Sequence, residues 1–192
     1  RQVFFRGTLG WTDEIQQTNI SGEDQDLSHD RITALRLGVS LNRCLTGCLG
    51  IDFQFSRGID IASRSQGDVG KGTPLSRSSG KNNFSHFNLD TTYAVALDKN
   101  LEFNINTGGQ LSLDDLLNSE QSSITGPDKL SGFTSGSISG DESWYFRGQL
   151  NYKKKLSNKL TLTPYVYGAT GVSYTFTPTA TENRATAAKS IG

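Results

Sequence analysis

SEQSSITGPDKLSGFTSGSISGDESWYFRGQL, residues 119–150, joins a long Gly/Ser-rich polar segment directly to an alternating run at 144–152. Connections inside compact domains usually span about 4–6 residues, so a polar loop of this length is expected to serve a function or to be unstructured. In the run that follows, Trp144, Phe146, Leu150 and Tyr152 alternate with Arg147, Gln149 and Asn151. Side chains alternate across a strand, so this is a strand with one apolar and one strongly polar face.

The same period of two recurs upstream. Val3, Phe5, Gly7, Leu9 and Trp11 face away from Gln2, Arg6 and Thr8, and Leu35, Leu37, Val39 and Leu41 away from Arg36, Ser40 and Asn42. Leu49, Ile51, Phe53 and Phe55 oppose Asp52, Gln54 and Ser56, and Phe87, Leu89, Tyr93 and Val95 oppose Asn88, Asp90 and Thr92. Leu101, Phe103 and Ile105 oppose Glu102, Asn104 and Asn106. A seventh strand is expected over 160–174 and an eighth near Lys189. Only one helical turn is expected, at Leu113–Leu117.

The connections alternate too. Short ones are expected at 43–47, 98–100 and 157–159, long polar ones at 17–30, 58–83, 114–142 and 177–188. Short turns at one end and long loops at the other are the pattern of an outer-membrane β-barrel, so the expected fold is an all-β antiparallel transmembrane barrel. Trp11, Tyr93, Trp144, Tyr152 and Tyr174 are placed near strand ends, as interfacial aromatic girdles would be. Arg6, Arg36, Asp52, Asp90, Glu102 and Arg147 then point into a lumen, where mixed charge keeps the wall hydrated.

Composition narrows the function. Nineteen basic residues balance 19 acidic ones, giving a formal net charge of +0, which argues against a nucleic-acid surface. Hydrophobic residues are 34% of the chain and mean hydropathy is -0.45. No apolar run approaches the roughly 20 residues of a membrane helix, but a barrel crosses with much weaker local hydropathy. No nucleophile elbow, phosphate loop, dinucleotide fingerprint or zinc helix motif is present, so no enzyme and no cofactor is expected. The acidic stretch from Glu23 to Asp30 lacks the Gly and terminal Glu of a calcium loop and reads as a solvated face. Cys44 and Cys48 flank a candidate turn. A disulfide and two free thiols both fit, whereas a metal site would need more ligands. The chain begins inside one alternating run and stops inside another, so it reads as a piece of a longer protein.

Several short motifs then align in order. Ser119-Glu120-Gln121, Gly126-Pro127-Asp128, Gly132-Phe133, Gly140-Asp141, Tyr145-Phe146-Arg147 and the later run Pro164–Gly171 resemble the conserved loop and barrel strands of two-partner secretion transporters, the TpsB group of ShlB/FhaC/HecB type. The resemblance implies a sixteen-stranded outer-membrane barrel of a Gram-negative bacterium, preceded by periplasmic POTRA domains. That barrel exports an unfolded haemolysin- or adhesin-like partner (TpsA-like) without ATP. Residues 1–192 would then form about eight strands of it, surrounded by outer-membrane lipid, and 114–142 would be a lumen-directed loop. The implied loop motif is Gly126, Pro127, Ser131, Gly132, Phe133, Gly140 and Asp141, meeting the wall at Tyr165, Tyr167, Ala169 and Arg147.

Two positions depart from that pattern. The family's loop-tip arginine falls on Ser131 and its wall aspartate on Ala169. Losing both charges together avoids leaving one unpaired in the lumen. Phe133 against Tyr165 and Tyr167 is the expected replacement contact. A porin-like or assembly-type barrel, or a soluble ligand-binding β-domain, are the competing readings.

Overall fold

In a computed structural model of the chain, residues 3–19, 26–59, 73–157, 160–180 and 182–192 are described. They form β1 (Val3–Asn19), β2 (Asp26–Cys44), β3 (Gly47–Gly58), β4 (Ser85–Ala96) and β5 (Leu101–Ser112). After the long loop, with its small strands β6 (Ser122–Ser123) and β7 (Ser139–Gly140), come β8 (Glu142–Tyr152), β9 (Lys154–Ser157), β10 (Leu160–Leu162), β11 (Tyr165–Tyr174) and β12 (Ala185–Ile191). Eight of them make one antiparallel sheet in the order β1-β2-β3-β4-β5-β8-β11-β12. Each strand pairs with the next large strand along the chain, the meander of an up-and-down barrel wall, with β1 and β12 at its edges.

Register carries the alternating pattern from strand to strand. Val39, Phe53, Leu89, Gly109, Trp144, Val172 and Ala187 are successive partners across seven strands. All of them lie on the apolar face. Leu9, Trp11, Leu37, Val39, Phe53, Leu89, Leu111 and Trp144 remain 41–73% exposed. A soluble protein rarely shows a continuous apolar face of this extent, whereas a membrane barrel requires one. The buried apolar side chains gather on the opposite, polar face in two small clusters. One holds Ile32, Ala34, Phe84, Leu116 and Leu117; the other holds Ile124, Leu130, Tyr145 and Ala169. Each cluster is made where the long loop lies on the wall.

The ends of the strands differ from the sequence expectation in several places. The connection expected at 17–30 is largely ladder, because β1 runs to Asn19 and β2 starts at Asp26. Backbone pairing continues there although the alternation fades. Cross-strand contacts hold it, including Arg31 to Asp13 at 3.0 Å and Thr33 Oγ1 donating to Asp13. Trp11 consequently sits in the middle of β1 rather than near its end. The acidic stretch and the 58–83 loop fall partly on residues 20–25 and 60–72, and the 157–159 turn on 158–159, all outside the described residues. The seventh run is two strands, β10 and β11, separated at Thr163-Pro164, where Pro has no N–H for the ladder. β9 and β10 pair with each other, continuing the β8–β11 hairpin beyond the large sheet.

The helical turn expected at Leu113–Leu117 is absent. Its backbone is taken by side chains instead: Leu116 N–H donates to Asp141 Oδ1 at 2.9 Å, and its carbonyl accepts from Arg77 Nη1 at 2.7 Å. A short 3-10 turn follows at Asn118–Glu120. Cys44 and Cys48 are register partners across the β2–β3 turn and form a disulfide.

Candidate functional site

The long loop between β5 and β8 lies on the polar face of the sheet, and three groups of residues fix it there. At its base, register sets Arg36, Ser56 and His86 side by side on β2, β3 and β4. Glu120 drops onto this row. Its carboxylate accepts from Arg36 Nη2 at 2.6 Å and Nη1 at 3.1 Å, a bidentate pair, and lies 3.0 Å from His86 Nε2. Such two-pronged guanidinium–carboxylate bonding is the strong, directional form of the interaction.

A relay of carboxamides orients the histidine. Gln110 Nε2 donates to the carbonyls of Glu120 and Asp141 at 3.0 and 3.1 Å. Its Oε1 is therefore left to accept from Asn88 Nδ2 at 3.0 Å, which turns Asn88 Oδ1 toward His86 Nδ1 at 2.7 Å. Both ring nitrogens thus face acceptor oxygens. Burial pushes the Glu120 carboxyl upward, but the hydrogen bonds from His86 and Arg36 outweigh it and hold the group below the usual glutamate range.

The second group is a hub between loops. Arg77 Nη1 meets Asp141 Oδ1 at 2.7 Å, with side chains 1% and 0% exposed. Asp141 Oδ2 also accepts from Phe176 N–H at 2.8 Å, while Arg77 Nη2 donates to the Thr177 carbonyl at 3.2 Å. One buried ion pair therefore ties the β3–β4, β5–β8 and β11–β12 connections together. Gly140 makes this approach possible, since a Cβ there would stand 2.5 Å from the Tyr174 carbonyl oxygen.

The tip of the loop is held differently. Ile124 and Leu130 seat on Tyr145 and Ala169, which is only 7% exposed. Ala169 faces Arg147 directly across β8 and β11. The Arg147 guanidinium donates to Ser131 Oγ at 2.8 Å and to the Lys129 carbonyl at 3.1 Å. It also bonds Gln149 Oε1 at 2.7 Å and stacks 3.8 Å above the Tyr167 ring. Lys129 lies over the Tyr145 ring and donates to the Ser123 carbonyl at 2.7 Å. Burial lowers its ammonium from the ordinary lysine range, with the Asp90 charge pulling the other way.

The candidate residues from the sequence thus divide. Ser131, Ala169, Arg147 and Tyr167 come together at the tip, and Gly132 packs with its Cα against Ser190 of β12, where a Cβ would stand 3.1 Å from the Ser190 Cβ. Gly126 opens the tip turn at φ +146°, a conformation that side chains resist, with Pro127 next to it. Gly140 and Asp141 lie at the hub instead. Phe133 is 39% exposed and Tyr165 52%. The tip is therefore fastened through Ser131 and Lys129, not through Phe133 packing on the two tyrosines. Glu120, His86 and Arg77 lie outside the site residues that the sequence marks. Glu120 stands inside a quoted motif, and His86 shares strand parity with Asn88 and Asp90. Nothing local marks Arg77.

No curated protein matches the sequence. Among solved structures, CdiB from Escherichia coli is similar at a TM-score of 0.64 and 15% sequence identity, over 97% of this chain and 42% of that one. The chain therefore spans less than half the length of that structure, and at this identity the likeness speaks for the barrel-wall fold. The sequence profile of the haemolysin secretion/activation proteins ShlB/FhaC/HecB matches residues 7–192. With that match over nearly its whole length, the chain belongs to the ShlB/FhaC/HecB family of haemolysin secretion/activation proteins.

Proposed function

We propose that this chain is part of the wall of an outer-membrane pore that carries an unfolded secreted partner, a TpsA-like haemolysin or adhesin, from the periplasm to the cell surface. The observation that carries the reading is the long loop, folded onto the polar face and anchored at base, hub and tip. A passive porin needs no such stopper across its wall. A transporter does, since a pore wide enough for a polypeptide must be closed when idle. Family membership supports the same reading.

About 9–11 residues suffice for a tilted strand to cross a bilayer, and β3, β4, β5, β8 and β11 have 10–12. The 17 and 19 residues of β1 and β2 would extend past the membrane on the long-loop side. The apolar face then meets outer-membrane lipid, and residues 1–192 act as a partial barrel domain with 114–142 as the lumenal loop. In this reading Gly126, Pro127, Ser131, Gly132, Phe133, Gly140 and Asp141 are the loop motif, with Arg147, Tyr165, Tyr167 and Ala169 as its wall.

The test is genetic. Deleting the full-length gene should strip a large adhesin- or haemolysin-like protein from the surface and medium of the parent strain, and a plasmid copy should restore it. Unchanged export in the deletion strain would end the reading.

A further inference from the structure

Past Tyr152 the β8–β11 hairpin continues as a narrow two-stranded ribbon, β9 and β10, beyond the short-turn end of the large sheet. The ladder is interrupted on both strands before the ribbon begins, at Lys153 and at Thr163-Pro164. Lys153 N–H turns aside there to the Asn100 carbonyl at 2.7 Å. Every described residue of the ribbon is exposed, and Leu156, Leu160 and Leu162 are 52–57% exposed. Register pairs Lys154 with Leu162 and Lys155 with Thr161. Lys154, Leu160 and Leu162 therefore share one side of the ribbon, and Lys155 lies on the other. The same period of two joins the leucine side to Tyr152 and Val166, on the apolar face of the wall.

Charge is uneven at this end of the molecule. Lys153 is paired with Glu102 at 2.7 Å, and Lys99 stands beside Asp98 in the β4–β5 turn. Lys154 and Lys155 have no acidic partner among the described residues, and Arg43, near the end of β2, adds to the excess. Free lysines beside bare leucines, continuous with a lipid-facing wall, are the chemistry of a membrane surface. A lysine stem lies along apolar groups while its ammonium reaches the polar layer.

We infer that the β9–β10 ribbon is a binding site for the phosphate of an anionic glycerophospholipid in the leaflet on the short-turn side. A strand rises about 3.3 Å per residue, so Lys154 stands about 5 Å beyond Tyr152 once the usual barrel tilt is allowed. The headgroup layer is about 5–7 Å deep on each side of a bilayer. With Tyr152 at the hydrocarbon edge, Lys154 is therefore level with the phosphates. Leu160 and Leu162 seat at the boundary of headgroups and acyl chains, as the apolar side of an interfacial element does. The inference rests on the membrane-wall reading and adds to it a selectivity for anionic over zwitterionic lipid.

The experiment uses the full-length transporter in phosphatidylcholine vesicles. These carry a trace of either phosphatidylglycerol or phosphatidylcholine with a photoreactive diazirine at the head of one acyl chain. Adducts on the 152–166 segment are measured by mass spectrometry. Each lysine at an anionic surface contributes about fivefold, so phosphatidylglycerol should label this segment about 30-fold more than phosphatidylcholine. Lys154→Gln should cut that preference about fivefold, and Lys154→Gln with Lys155→Gln should bring it near unity. Molar salt, with a screening length of about 3 Å, should also erase it. Leu160→Ser with Leu162→Ser should lower labelling by both lipids. All four positions are exposed, and heat-modifiable migration of each variant confirms a folded barrel. Equal labelling by the two lipids, no adduct on this segment in folded barrel, or a preference indifferent to the lysine variants would each overturn the site. Membrane extraction is read separately. Protein that needs detergent but shows no preference sinks the lipid site alone, whereas protein released by alkaline carbonate sinks the wall reading with it.

Discussion

The base and hub of the long loop and its tip are fastened by different physics. At the base, Glu120 takes a bidentate guanidinium and an imidazole, and at the hub Arg77 and Asp141 form a fully buried ion pair. At the tip, one guanidinium from the wall reaches a hydroxyl and a backbone carbonyl, while Ile124 and Leu130 rest on Tyr145 and Ala169. Breaking one side of a buried ion pair costs several kcal/mol, because the other charge stays behind. A bond from a guanidinium to an uncharged hydroxyl or carbonyl contributes about 1.5–3 kcal/mol, and its loss strands no opposite charge. The loop is thus bolted at its root and rests at its end. The tip carries the uncharged Ser131 and Ala169, whereas buried charge pairs hold the loop where it leaves and rejoins the wall. Ala169 also fits its place physically, since an aspartate there would lie against Ile124 and Leu130.

The sharpest way to break this contrast is Asp141→Ala in the full-length barrel. It leaves the Arg77 guanidinium buried without a carboxylate and should lower the opening free energy of the loop by about 3–5 kcal/mol, read by hydrogen exchange across 113–141. The paired change Arg77→Met with Asp141→Leu should recover much of that loss, as apolar replacement of a buried pair is often near neutral. If Asp141→Ala costs no more than a tip substitution, the contrast between the two ends is wrong.

Glu120 gives the next largest effect. Glu120→Gln removes bonds between charged groups, each about 1.5–3 kcal/mol. The wild-type attachment should also be acid-sensitive. A carboxyl whose folded pKa is depressed adds stability above its unfolded value, about 4.3, and loses it as pH falls through the lower folded value. Protease nicking of the loop should therefore rise at pH below about 4 in the wild type, and Glu120→Gln should flatten that acid step. A step that persists in Glu120→Gln would assign it to another carboxyl.

Ser131→Ala removes one bond from the Arg147 guanidinium and should cost about 1.5 kcal/mol, seen as faster exchange confined to the tip amides and none at the base. Phe133→Ala should change loop opening by less than about 0.5 kcal/mol, as exposed substitutions usually do. A larger loss there would restore Phe133 as the tip's anchor in place of Ser131.

Much of the architecture is readable locally. Alternation in Val3–Trp11, Leu35–Asn42, Leu49–Ser56 and Leu101–Asn106 sets which face each strand shows, since side-chain direction follows backbone period alone. Turn ends at Cys44–Gly47 and Ala96–Leu101 are equally plain. The extended ladder beyond Trp11 was hidden because Asp13, Gln16 and Gln17 pair through backbone, which composition does not report. In the loop, the glycine and proline positions and the Gly140-Asp141 pair mark it as special, yet they do not reveal its partners.

The sequence by itself determined an antiparallel membrane-type wall, its polar and apolar faces, and the long loop at 114–142. Only the tertiary structure decided what holds that loop: Arg36 and His86 on Glu120, Arg77 on Asp141, and Arg147 on Ser131. The physical reason is sequence separation. Glu120 lies 84 residues from Arg36, and Asp141 lies 64 from Arg77. Contacts at such distances depend on strand register and on how the loop folds back, which no local period encodes.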